Sequence, residues 1–157
     1  MTEKDQNAYF VDLLCQIKKL AADYYRLTGR PLGVTGEIAE YEAIRLLHLT
    51  PAIVRQAGYD AIRHDNGSET KVQIKGRCLH CSPKKSGPRL GEINLLKEWD
   101  VVMFVALDME LEATAIYEVG RETLTKLINP IEDDPNSAKS KIPVRKFVQN
   151  ANQIWQR

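Results

Sequence analysis

Asp60, Gln73 and Lys75 are the side chains whose types and spacing could do chemistry together. Asn66-Gly67 is the strongest short-range hairpin signal, because a two-residue type I′ turn needs positive φ at both positions. With that turn in place Asp65 faces Ser68, and each step outward keeps the register until Asp60 lands opposite Gln73. Their Cβ atoms would then lie about 4.5–5.5 Å apart, with Lys75 one same-face step further on. Asp60 and Gln73 offer two side-chain oxygens to a hard cation, and the main-chain carbonyl of Ile74 is a third candidate. A lysine beside such a cation is a compact charge for holding phosphate and steadying a negative transition state. The plainer reading is a cross-strand Asp60–Lys75 ion pair, worth under about 1 kcal/mol when exposed.

The elements that must position these groups follow from periodicity. Along the second hairpin strand Lys71, Gln73, Lys75 and Arg77 share one face, while Val72 and Ile74 share the other and face a core. Phe10, Leu13, Leu14, Ile17, Ala21, Tyr24 and Tyr25 recur at helical spacing, predicting a core-covering helix over about 7–27, ended by Gly29 and Pro31. Thr35 is placed to cap a second helix running to about Leu47. On it Glu37 and Glu40 lie three apart on one side, and either could be only a solvated charge. A first strand is expected over 52–56, and a short helix over 92–98. Val101 to Leu107 is apolar on both parities, as in a strand covered on both faces. A short connection joins it to a strand over 114–119, which predicts an antiparallel pair. A helical stub is expected over 123–128, then a polar, flexible stretch over 132–141. Pro143 opens a last helix in which Val144, Phe147, Val148, Ala151, Ile154 and Trp155 share a face.

The chain has 157 residues, 43% hydrophobic and 27% charged, with a formal net charge of +1. That is the composition of one ordinary globular domain spanning 1–157, not of a polycation. Nucleic-acid binding would have to come from a local patch. One exists: from Lys71 to Gly91 there are Lys71, Lys75, Arg77, Lys84, Lys85 and Arg89 and no acid. A basic loop leaving the site-bearing strand suits contacts to backbone phosphates, though lysines also simply keep a loop soluble. The first residues lack the order of a secretion signal and no apolar run approaches a membrane span, so a cytoplasmic protein is expected. Three cysteines suggest no disulfide framework. Cys78-x-x-Cys81, with His80 between, lacks the second pair that a structural zinc site needs. No GxSxG, GxGxxG or GxxxxGK[ST] motif is present.

Asp60 followed by Gln73-Ile74-Lys75 resembles the PD-(D/E)xK nuclease superfamily in its D…QxK form, as in Mrr-like restriction nucleases. Gly36-Glu-Ile-Ala-Glu40 is similar to the GxxxE helix of archaeal Holliday-junction resolvases. Gly33 to Leu107 carries the likeness; GEIAEYEA, QAGYDA and VQIKGR also look like small bacterial proteins without an assigned role. The resemblance implies an α/β (α+β) restriction-endonuclease-like domain: an αβββαβ core, a central mixed sheet flanked by helices, and extra N- and C-terminal helices. It implies Mg²⁺ (or Mn²⁺)-dependent hydrolysis of DNA phosphodiesters. The metal would be held by Asp60, Gln73, the Ile74 carbonyl and Glu40, with Lys75 completing the catalytic set. Arg77, Lys84, Lys85 and Arg89 would hold phosphates. A homodimer, or a protein partner that supplies specificity, would fit a chain this short. Two departures stand out: Tyr59 replaces the proline, and neutral Gln73 replaces the acid. Both suit the alternative of a catalytically degenerate module that binds DNA or a protein without cleavage.

Overall fold

The computed structural model describes residues 2–53, 57–79, 87–128, 139–140 and 142–157. The elements run α1 (Glu3–Thr28), α2 (Thr35–Leu47), β1 (Thr50–Pro51), β2 (Ala61–Asp65), β3 (Ser68–Cys78), β4 (Ile93–Asn94), β5 (Val101–Leu107), β6 (Ala113–Gly120), α3 (Arg121–Ile128), β7 (Lys139–Ser140), α4 (Val144–Val148) and β8 (Asn152–Gln156). Six strands form one mixed sheet in the order β1-β2-β3-β5-β6-β8, and β4 pairs with β7 apart from it. Among the described strands only β3 and β5 pair in parallel. A mixed six-stranded sheet flanked by helices is consistent with a restriction-endonuclease-like α/β core.

The hairpin forms as its turn dictates. Asn66 and Gly67 both have positive φ, and the ladder runs from Asp65–Ser68 to Ala61–Val72. Strand β5 separates two apolar layers. Met103, Val105 and Leu107 join Ile38, Ala39, Ala43, Val72 and Ile74 under α2. Val102, Phe104 and Ala106 join Leu90, Trp99, Leu124 and Phe147 on the other face. The doubly apolar pattern of β5 therefore reflects burial on both sides.

One glycine sets the depth of α2. A Cβ on Gly76 would sit 2.3 Å from the Cβ of Ala39 and 3.0 Å from the Thr35 carbonyl oxygen. The small side chains of Ala39 and Ala43, both fully buried, let the helix backbone settle on β3.

Four local expectations are corrected. The first strand is Thr50–Pro51, not 52–56, because it pairs with Ile62 and Ala61 just after α2 ends; residues 54–56 lie outside those described. Residues 92–98 form β4 and a turn rather than a helix: Arg121 donates to the Leu95, Lys97 and Trp99 carbonyls, bonds that replace intrahelical ones. The last helix stops at Val148, and Asn152–Gln156 pairs with β6 instead. Edge pairing with β6 outweighs the helical spacing of Ala151, Ile154 and Trp155. Helix α1 spans its expected range, but much of its apolar surface is exposed rather than core-covering.

Candidate metal centre

The site lies where β2 parts from β3. Beyond Ala61–Val72 the ladder slips: the Asp60 amide donates to the Val72 carbonyl at 2.8 Å, one residue short of Gln73. The Asp60 carboxylate then accepts from the Ile74 amide through Oδ2 at 2.7 Å. A side chain thus takes the place of a strand partner's carbonyl, which lays the carboxylate in the plane of the sheet. Among the described residues no hydrogen bond reaches its Oδ1.

Gln73 and Lys75 stand on one face of β3 by strand alternation. The Gln73 amide nitrogen donates to the Gly58 carbonyl at 3.1 Å. That fixes the side chain, and Gly58 has φ +111°, with a would-be Cβ 2.6 Å from the Glu98 carbonyl oxygen. Gln73 is only 9% exposed, and its Oε1 is buried without a hydrogen-bond partner. An orphaned buried acceptor costs roughly 1–3 kcal/mol.

Glu40 approaches from the opposite face on α2, carried in by the close contact at Gly76. It is half-buried, whereas Glu37 is exposed. Burial first, then the Asp60 carboxylate and then Glu37, push the Glu40 carboxyl from 4.5 up to about 7, with Lys75 pulling the other way. Burial likewise raises Asp60, partly offset by the Ile74 amide and the Lys75 ammonium. Asp60, Glu40 and Lys75 therefore sense one another's charge. Between α2 and the strands the geometry distinguishes Glu40 from Glu37, which spacing alone left open.

The remaining candidates divide. Arg77 donates through Nε to the Arg89 carbonyl at 2.7 Å and through a terminal nitrogen to the Gly76 carbonyl. It braces the strand against the loop that follows. Arg89 is exposed. Lys84, Lys85, His80 and Cys81 lie outside the described residues. Cys78 is disulfide-bonded, against the expectation of a chain without disulfides, so its sulfur is no thiolate for zinc. Among the described residues no three His, Cys, Asp or Glu side chains converge as a metal cluster. The donors nominated from the sequence are two carboxylates, an amide oxygen and a main-chain carbonyl. The orphaned Gln73 oxygen fits a hard cation, which that oxygen-only chemistry favours.

Gly58 is legible in the sequence as a glycine that allows a bulge or bend just before Tyr59, and the slip at Asp60 falls there. Sequence reasoning missed Gly76, whose signal was a glycine inside the strand next to Lys75, a place where backbone approaches closely.

No protein-family model matches the chain, and no curated protein matches it. Among solved structures it is similar to a bacterial homing endonuclease, I-Ssp6803I, with 18% identity and a TM-score of 0.40. The match covers 58% of this chain and 66% of that one, slightly under two thirds of its length. No described helix is long and apolar enough to cross a membrane. The functional reading rests on the site's own geometry.

Proposed function

We propose that the protein is a Mg²⁺- or Mn²⁺-dependent nuclease of the PD-(D/E)xK kind that hydrolyses DNA phosphodiester bonds. The observation that carries this reading is the Asp60 carboxylate, fixed by the Ile74 amide and half-desolvated, sharing its electrostatic surroundings with the Glu40 carboxyl and the Lys75 ammonium. A divalent cation between them would stabilise both carboxylates as anions, and the partnerless Gln73 oxygen is a further oxygen donor on the same strand as Lys75. Such an ion, when bound, polarises a phosphoryl oxygen and makes water a better nucleophile.

The chain's own residues do the rest. Asp60, held by the Ile74 amide, keeps one oxygen in the gap between the strands. Without the ion, burial and the Asp60 charge hold the Glu40 carboxyl at about 7, so metal binding near neutral pH would release a proton from it. Lys75 brings an ammonium to the developing charge on the scissile phosphate and orients the attacking water. Arg89, with Lys84 and Lys85, would contact backbone phosphates, and Arg77 would hold the loop that carries them.

The test is plasmid and linear DNA cleavage with added Mg²⁺ or Mn²⁺, together with calorimetric titration of the metal. Cleavage and metal binding both vanish in Asp60→Ala, and cleavage vanishes in Lys75→Ala. Cleavage that survives both substitutions places the chemistry elsewhere. DNA held equally well in EDTA, with no cleavage in any metal, selects the degenerate binding module, which neutral Gln73 also suits.

A further inference from the structure

Helix α1 carries a second apolar stripe that its own domain touches only at Phe10, whose ring meets Tyr41 of α2 edge-on at 5.8 Å. The domain buries Leu14, Lys18, Ala21 and Ala22. Roughly a quarter-turn away lie Phe10, Leu13, Ile17, Leu20, Tyr24 and Leu27, all exposed, with Leu20 at 63% and Leu27 at 86%. Their steps alternate three and four, the spacing of a two-helix seam in which a and d positions face a partner helix. Phe10, Ile17 and Tyr24 fill the a positions, and Leu13, Leu20 and Leu27 the d positions. At roughly 200 Å² for a large side chain, these six still expose on the order of 600 Å². Two copies would bury on the order of 1,000 Å², enough for a specific interface.

We infer that α1 pairs antiparallel with α1 of a second copy of this chain. Antiparallel packing sets each a residue against a d residue, so Phe10 meets Leu27, Leu13 meets Tyr24 and Ile17 meets Leu20. Every layer then combines one leucine with one bulkier or β-branched residue, and a two-fold axis falls between Ile17 and Leu20. A parallel pair would instead stack Phe10 on Phe10 and Tyr24 on Tyr24. The antiparallel register also puts Gln16 beside Asp23 of the other copy, an amide donor facing a carboxylate. The polar rim favours a second copy over an anionic surface. Asp12, Lys19, Asp23 and Arg26 cancel in charge, whereas a helix lying on anionic lipid presents a basic polar face. The seam leaves the metal centre on β2, β3 and α2 untouched, so this pairing stands or falls independently of the nuclease reading.

Sedimentation of the full chain over micromolar to hundred-micromolar concentrations tests it. A monomer–dimer equilibrium is expected, and Leu13→Glu/Leu20→Glu weakens it at least tenfold while the circular dichroism and melting temperature of the monomer are kept. Orientation is read by disulfide trapping on a Cys15→Ser background. An equal mixture of Phe10→Cys and Leu27→Cys proteins cross-links as a heterodimer, while each alone does not, because like positions then lie about 25 Å apart along the axis. A chain monomeric throughout overturns the proposal. So does a dimer indifferent to the glutamates, efficient cross-linking of Phe10→Cys alone, or a monomer that binds anionic vesicles through this stripe.

Discussion

The two long helices sit on the same molecule in opposite ways. Helix α2 is sunk into the sheet: Ile38, Ala39 and Ala43 are fully buried, and Gly76 leaves no room for even a methyl group beneath it. Helix α1 is twice as long but touches its domain mainly through Leu14, Ala21, Ala22, the Phe10 ring against Tyr41 and one buried ammonium. Lys18 bonds Glu42 of α2 at 2.8 Å and Glu112 at 2.9 Å, and Arg26 pairs with Asp23 at 2.8 Å and with Glu110. Burial alone would lower the Lys18 pKa, but the two carboxylates outweigh it and hold the group above its usual range. Contact depth thus follows task. The helix that carries Glu40 is packed too tightly to drift, and the one that exposes an apolar stripe is tethered largely by ion pairs.

The largest effect that could break this contrast is at the centre itself. Asp60→Ala is expected to abolish metal binding and cleavage while leaving the chain folded, since it removes a carboxylate whose burial is unfavourable; calorimetry and circular dichroism on one sample check both halves. Next comes Gly76→Val. The added carbons meet Ala39 at a distance no real Cβ shows, so α2 must shift, at a cost of about 2–4 kcal/mol in urea unfolding. Weaker metal binding should accompany it, because Glu40 moves with its helix. Lys18→Ala follows, at about 1–3 kcal/mol. It strips one partner from Glu42, which is 1% exposed, while Arg45 at 2.8 Å remains to share its charge.

The pH dependence sharpens the same contrast. The folded-state pKa of Glu40 lies above its unfolded value, so the native chain holds more protons than the unfolded chain between about 4.5 and about 7. Without metal, this group's contribution to stability therefore falls as pH rises through that window and is flat above it. Glu40→Gln should remove that slope in denaturation curves taken at several pH values. Metal binding has the opposite sign: below pH 7 the ion must displace a proton, weakening affinity by roughly tenfold per pH unit. The smallest effect belongs to α1. Leu27→Ser should change the stability of dilute, monomeric protein by less than about 0.5 kcal/mol, against the several kcal/mol expected at Gly76.

Legibility followed the range of the forces involved. The hairpin register was readable because Asn66-Gly67 admits one tight turn and the pleat admits one alternation. Strand β5 was readable because seven consecutive apolar residues exclude a solvated face. The C-terminal strand was not: Ala151, Ile154 and Trp155 fit a helix as well as a strand, and only the open edge of β6 decided between them. The pairing of Asp60 was half legible. Turn arithmetic brought it to the end of the ladder, but nothing local announced that its carboxylate would leave the ladder and bond the Ile74 amide.

The sequence by itself determined the hairpin, the two-sided central strand and the placing of Asp60 at the end of the β2–β3 ladder. Those depend on turn geometry and alternation, which act between neighbours. Tertiary structure decided that Glu40 is half-buried while Glu37 is exposed, that Gln73 Oε1 is left without a partner, and that most of the heptad stripe of α1 stays outside the core. The depth of Glu40 depends on how closely the α2 backbone approaches the sheet, a distance set by Gly76 and Ala39, and Gln73 on its hydrogen bond to the Gly58 carbonyl; only packing brings such distant residues together.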